Sequence, residues 1–275
     1  MLSSTAPGCR LALLASFGLL VACGGRQTTP DPPPDAPDTS VDEAETTAET
    51  TPAVAPSDIW FDEAHAAVGR GDCVGALVGL DEVIATAPWR ADALLDRSVC
   101  HLVVGDPAGA LEDARALIAL TPDDPIAQYQ LGASLVAAGA PGEADDVLVP
   151  LLDDPTMGRD VRLRVAEARL ALLDADGADD VLQALDDDPD ALTLRAVAAE
   201  VRQTVPEAVA LYEAALSIDS DHLAALRNLG LLLLANDAPD EARALLERFL
   251  EHAPDDALDR PMIEGHLGLD ATVAP

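Results

Sequence analysis

The sequence predicts an all-α protein: an α-solenoid of about six helix-turn-helix repeats, preceded by a disordered acidic Pro/Thr-rich tether. Three observations predict it. Alanines recur 34 residues apart at Ala76, Ala110, Ala144 and Ala178, slip by four at Ala208, and resume the step at Ala242. A glycine stands five residues ahead of the first three (Gly71, Gly105, Gly139), and prolines close several copies (Pro88, Pro122, Pro155, Pro254). Hydrophobic residues make up 49% of the 275 residues but aromatics only 3%, so the apolar mass is Ala, Leu and Val. Ala and Leu lose little conformational freedom in a helix, which favours helix over strand.

The chain holds 50 acidic and 16 basic side chains, every one of the latter Arg, for a net charge of −34. That balance excludes nucleic acid and anionic lipid as partners held by charge, because phosphate contacts rest on cationic side chains.

The first 56 residues stand apart from the fold. Residues 1–22 read as a signal peptide: Arg10 is the only cation before the apolar run Leu11–Ala22. Twelve apolar residues are short for a bilayer span and suited to a signal-peptide core. The run ends in Leu20-Val21-Ala22-Cys23, which resembles the bacterial lipobox, in which a Cys is lipidated and becomes the mature N-terminus. The resemblance implies that Cys23 is the lipidation site. It also implies, with no Asp directly after the Cys, an outer-membrane lipoprotein anchored by its acyl chains and facing the periplasm. Residues 23–56, with DPPPDAPD and ETTAETTP, have almost no large apolar side chains and cannot offset the entropy of ordering. As a flexible coil they span roughly 30–35 Å, and stretched toward polyproline II about 100 Å.

Residues 57–254 carry the repeats, read as 57–90, 91–124, 125–158, 159–189, 190–222 and 223–256. The first copy has Trp60, Ala64, Ala76, Leu80 and Pro88, and the third Leu131-Gly132. The fifth has Ala208, Tyr212 and Ala215; the sixth Leu226, Leu229-Gly230, Leu233, Ala242, Leu246, Phe249 and Pro254. This pattern resembles the tetratricopeptide repeat, with small residues at places 8 and 20 of 34, large ones at 4, 7, 11 and 24, and Pro at 32. The small residues let paired helices approach, and Gly at place 15 suits a left-handed turn. Pro ends the second helix. Stacking then buries what no single repeat can. The four-residue deficit between Ala178 and Ala208 is expected in the first helix or the turn of repeat five, where Pro206 lies, with a hinge there. Residues 255–275 are expected to hold a short capping helix near Pro261–Leu267 and a frayed tail.

Cys73 and Cys100 remain beyond the leader. They fall at the start of one helix and near the end of its antiparallel neighbour, so they pair as a disulfide or stay as two buried thiols. Two Cys without a His at ligand spacing do not make a zinc site. Asp174-Ala175-Asp176-Gly177 resembles a fragment of a calcium loop, but Leu172 and Gln183 would stand where carboxylates are required. The Asp pairs at repeat junctions suit helix N-caps. No nucleophile or metalloenzyme motif involves the five His, so no catalytic residue, metal or cofactor is assigned.

The repeat resemblance implies a concave groove lined by the first helices through places 2, 5, 9 and 12. That gives Phe61 and His65; Leu95, Val99 and Leu102; Tyr129 and Val136; Leu163 and Leu170; and Arg227, Leu231 and Leu234. A mostly apolar groove favours an amphipathic helix or extended peptide held by apolar anchors. The expected role is a membrane-anchored scaffold for another envelope protein. Alternatives are an assembly or pilotin-like factor for a secretin, pilus or barrel-assembly complex, and an adaptor for peptidoglycan hydrolases.

Overall fold

A computed structural model describes residues 56–255 and 257–268. The proposed leader, Cys23 and nearly all of the tether lie outside them. Among the described residues there are thirteen α-helices and no strand. Six antiparallel pairs follow one another: α1 (Pro56–Gly69) with α2 (Cys73–Thr86), α3 (Ala91–Val103) with α4 (Pro107–Leu120), and α5 (Pro125–Ala137) with α6 (Pro141–Leu148). Then come α7 (Gly158–Ala171) with α8 (Ala175–Leu182), α9 (Pro189–Val201) with α10 (Val205–Ile218), and α11 (Leu223–Ala235) with α12 (Pro239–His252). A last helix, α13 (Arg260–Leu267), stands alone.

Small residues set the spacing within each pair. Ala76, Ala110, Ala144, Ala178, Ala208 and Ala242 are all fully buried. They face a second row of small, buried residues on the first helices: Ala64, Ser98, Gly132, Ala166, Ala196 and Gly230. The closeness is steric. A Cβ on Gly132 would strike the Leu148 side chain, and one on Gly230 would strike Leu246.

All six turns within pairs use one left-handed residue. Gly71, Gly105 and Gly139 have φ of 78°, 78° and 76°. Leu173, Gln203 and Asp237 take the same place at 63°, 61° and 60°. The turn thus keeps its geometry where the glycine is lost, at the expense of crowding between Cβ and the following carbonyl.

Several helices begin on caps that the sequence supplies, whereas α3, α6, α7, α10, α12 and α13 have no side-chain cap, even α7, which the Asp153-Asp154 pair precedes. Asp72, Asp106 and Asp174 accept the backbone N–H of Gly75, Gly109 and Gly177 at 2.8, 3.0 and 3.0 Å. Asp174 is therefore the cap of α8, which disposes of the calcium-loop likeness. From the junction pairs, Asp124 caps α5 through Ile126 N–H and Asp188 caps α9 through Ala191 N–H.

Two expectations are corrected. The four-residue deficit lies not in the first helix or turn of repeat five but between the starts of α8 and α9, in the stretch that carries repeat four into repeat five. α9 has a full 13 residues. α8 stops after 8 and continues as a 3-10 turn to Leu185, as α6 does to Leu151, but only residues 186–188 then precede α9, where 152–157 precede α7. Pro206 sits not in a turn but in the first turn of α10, where a missing N–H leaves no bond unmade. The expected hinge is also absent from the packing. The largest buried core runs unbroken from Leu135 through Val181, Leu182 and Ala196 to Leu232, across the shortened junction.

α13 closes the C-terminal end by laying Ile263 and Leu267 on Leu226, Leu246 and Phe249. At the other end α1 and α2 have no such cover among the described residues. Trp60, Val74 and Val78 are 42%, 72% and 70% exposed there.

Candidate functional site

Each first helix touches the next first helix, α1 to α3 and onward to α11, in addition to its own partner. The second helices make no such extensive row. The first helices therefore form the inner layer of the solenoid, and their outward faces make one continuous surface.

The middle of that surface is apolar. Leu95, Val99, Leu102, Tyr129, Val136, Leu163, Leu231 and Leu234 are all partly exposed on it. Tyr129, Val136 and Leu163 rest on the central core, Leu95 on the smaller core around Leu94 and Leu117, and Leu234 on the C-terminal core. Three residues expected on the groove are instead covered. Leu170 is 3% exposed and belongs to the central core. Phe61 is buried beneath the Arg90 guanidinium, 4.1 Å from its ring centroid, and stacks on His65 at 5.4 Å. Arg227 is buried and held by Asp259 at 2.6 Å, at the foot of the capping helix. For Phe61 and Arg227 the cover comes from some thirty residues away in sequence.

Polar groups punctuate the apolar surface in pairs across adjacent repeats. His65 Nδ1 lies 2.6 Å from Asp96 Oδ2, tying α1 to α3. The hydrogen bond and charge of Asp96 raise the His65 pKa above its ordinary value. Arg164 donates to Glu167 at 2.6 Å and to the Tyr129 hydroxyl at 3.3 Å. Burial pushes the Glu167 carboxyl above the usual carboxylate range, against the opposing pull of Arg164. Arg159 links Asp160, Asp188 and Asp190, and His222 Nε2 sits 2.9 Å from Asp190. The His222 hydrogen bond first, and Arg159 second, bring the Asp190 carboxyl down to about 2. Further in, the Tyr212 hydroxyl donates to Glu200 at 2.5 Å.

The consequence for binding is that the cations are already spoken for. Arg90, Arg159, Arg164 and Arg227 each hold a carboxylate of this chain. An acidic peptide would have to displace those carboxylates, whereas an apolar side chain needs only the exposed Leu and Val surface. Sequence reasoning placed His65, Tyr129 and Arg227 on the groove but missed their partners Asp96, Arg164 and Asp259, and missed the Arg159 cluster. Among the described residues no group of three or more His, Cys, Asp or Glu is placed to hold a metal ion. No described helix is long and apolar enough to cross a membrane.

Paired helices in a stack, presenting a half-exposed apolar inner face, define a helical-repeat binding protein. One tetratricopeptide repeat family model matches residues 203–258, and another matches 61–125, 101–146 and 162–222. The chain belongs to the tetratricopeptide repeat family. No curated protein matches it. Among solved structures, a tetratricopeptide repeat protein from Parabacteroides merdae is similar at 15% identity and a TM-score of 0.68, covering 78% of this chain and 85% of that one. PilW, described as a type IV pilus biogenesis factor, is similar at 18% identity and a TM-score of 0.58, over 75% of this chain and 98% of PilW. PilF of Pseudomonas aeruginosa is similar at 16% identity and 0.53, over 76% of this chain and 96% of PilF. At these identities the likeness is one of fold.

Proposed function

We propose that the protein is a lipid-anchored scaffold of the bacterial cell envelope, held to the outer membrane through Cys23 and facing the periplasm. It binds a segment of another envelope protein along its inner helical face. The observation that carries this reading is the half-exposed row Leu95, Val99, Leu102, Val136 and Leu163 beside arginines already paired. The segment that fits is an amphipathic helix or extended strand with apolar anchors and Lys or Arg flanks, because the chain around the row is strongly acidic.

The test is a photo-crosslinking residue placed at Leu102 or Val136 in intact cells, compared with the same residue at Glu112 or Glu247 on the second helices. Adducts with one envelope protein from the inner positions alone support the scaffold. Equal adducts from both faces, or none, overturn it. Cys23→Ala should release the protein from the membrane fraction; retention there overturns the anchor.

A second reading, an assembly factor for an outer-membrane secretin or pilus complex, is favoured by length. The aligned repeat region accounts for nearly all of PilW and PilF. Capture of a secretin subunit by the inner positions, and only with Cys23 intact, is its expected result; a captured protein of another kind removes it.

A further inference from the structure

Repeat one stands at an open end of the solenoid. Among the described residues it has a neighbour on one side only, and its own core is small: Phe61, Ala64, Ala67, Ala76, Leu80 and Val83, with three further residues from the junction. Stacked repeats draw much of their stability from interfaces, so a terminal repeat with an uncovered outer face opens first. Two of the remaining core members are Cys73, the first residue of α2, and Cys100, in the last turn of α3. They are 5% and 0% exposed, and their sulfur atoms are 2.6 Å apart. Both are free thiols in the structure. No third ligand stands with them, and no groove contact uses them.

We infer that Cys73 and Cys100 are an oxidation site whose disulfide staples the open terminal repeat to repeat two. The pair joins α2 to α3, across the one interface that holds repeat one among the described residues. It also fixes the α1–α3 wall of the inner face, where His65 meets Asp96 and Arg90 covers Phe61. The oxidant is the disulfide of a thiol–disulfide oxidoreductase or of oxidised glutathione. The Cys73 thiolate attacks one of its sulfurs, forming a mixed disulfide and releasing the other as a thiolate. The Cys100 thiolate then attacks the Cys73 sulfur and releases the second. Two protein thiols lose two protons and two electrons, and the reagent disulfide becomes two thiols.

Burial pushes the Cys100 thiol well above its ordinary pKa. In the packed state it supplies little thiolate, so exchange belongs to the moment when repeat one is open, during folding. The same burial afterwards shelters the bond from reductants. A cellular oxidant is available only if the chain is exported, so in the cell the inference rests on the envelope location proposed above.

The experiment takes the full chain from cells without reductant, alkylates it under denaturing conditions, and maps the Cys73 and Cys100 peptides by mass. A second sample is reduced, unfolded and refolded in oxidised and reduced glutathione before mapping. Both peptides should resist alkylation until reduced, in both samples. Free thiols in both samples overturn the pairing. A bond formed in glutathione but absent in cells overturns the exported location and leaves the pairing standing. For the staple itself, the oxidised chain should melt about 5 °C or more above the reduced one. Amide exchange in α1 and α2 should be slower, and Cys73→Ala/Cys100→Ala should behave as reduced wild type. Equal melting and equal exchange in the two redox states overturn the staple.

Discussion

Arg97 grips Asp113 through two hydrogen bonds of 2.8 and 2.6 Å, at a depth where Asp113 is only 2% exposed. Arg97 stands where the repeat pattern puts a large apolar residue, so the pair replaces packing with an ion pair. Removing one partner strands a buried charge. Arg97→Leu should destabilise by about 3–5 kcal/mol, and the double change Arg97→Leu/Asp113→Leu should recover most of that. Urea unfolding of the three chains checks it. A double variant no more stable than the single one would show that the pair contributes geometry that Leu cannot.

The left-handed turns offer a stabilising change. Leu173 and Gln203 hold φ near 60° with a side chain that resists it, and Leu173 is exposed. Leu173→Gly and Gln203→Gly should each stabilise by about 0.5–1 kcal/mol, the relief of the left-handed conformation exceeding the entropy of glycine. Thermal melting measures this, and a fall in melting temperature for both would refute it.

Glycine is worth the opposite where helices meet. Gly132→Ala forces a methyl into the Leu148 side chain, at a cost of about 1–3 kcal/mol. Gly142→Ala, with nothing within 4 Å, should instead stabilise by about 0.5–1 kcal/mol. Equal effects at the two sites would mean that the α5–α6 contact yields freely.

His65 and Asp190 give opposite pH signatures. The His65 value is raised, so its bond to Asp96 is fully present below about 6.5 and is lost as pH rises through the folded value. By NMR the His65 ring should titrate above 6.5, and Asp96→Asn should bring it back. The Asp190 value is depressed, so its contribution is present above about 3.9 and is lost as pH falls toward 2. Asp190→Asn should flatten the acid limb of stability across that window; an unchanged limb would show that Asp190 gains nothing from His222 and Arg159 on folding.

The stack was legible in the sequence because its tightest demand falls on one residue type. Only a small side chain fits where paired helices cross, and the six alanines that marked the repeats all have no exposed surface. The shortened stretch from α8 to α9 was not legible. Missing residues leave nothing behind to mark their place, and Pro206 drew attention to a helix start that tolerates it. Half of the turns were visible as glycines; Leu173, Gln203 and Asp237 hide the same conformation under ordinary side chains. Most of the groove residues emerge partly exposed, but Phe61, Leu170 and Arg227 do not. For Phe61 and Arg227 the covering groups, Arg90 and Asp259, sit at the N-caps of α3 and α13, the helices that follow each pair, and no spacing rule within one repeat announces them.

The difference between the two ends bears on self-assembly. A bare helical-repeat end is a surface on which another solenoid can continue the stack, and a chain bare at both ends can polymerise head to tail. Here α13 occupies the complementary end of every copy, so the exposed Trp60, Val74 and Val78 find no matching tail. A helix of eight residues at one end thus leaves the apolar patch at the opposite end without a bare solenoid end of another copy to stack on.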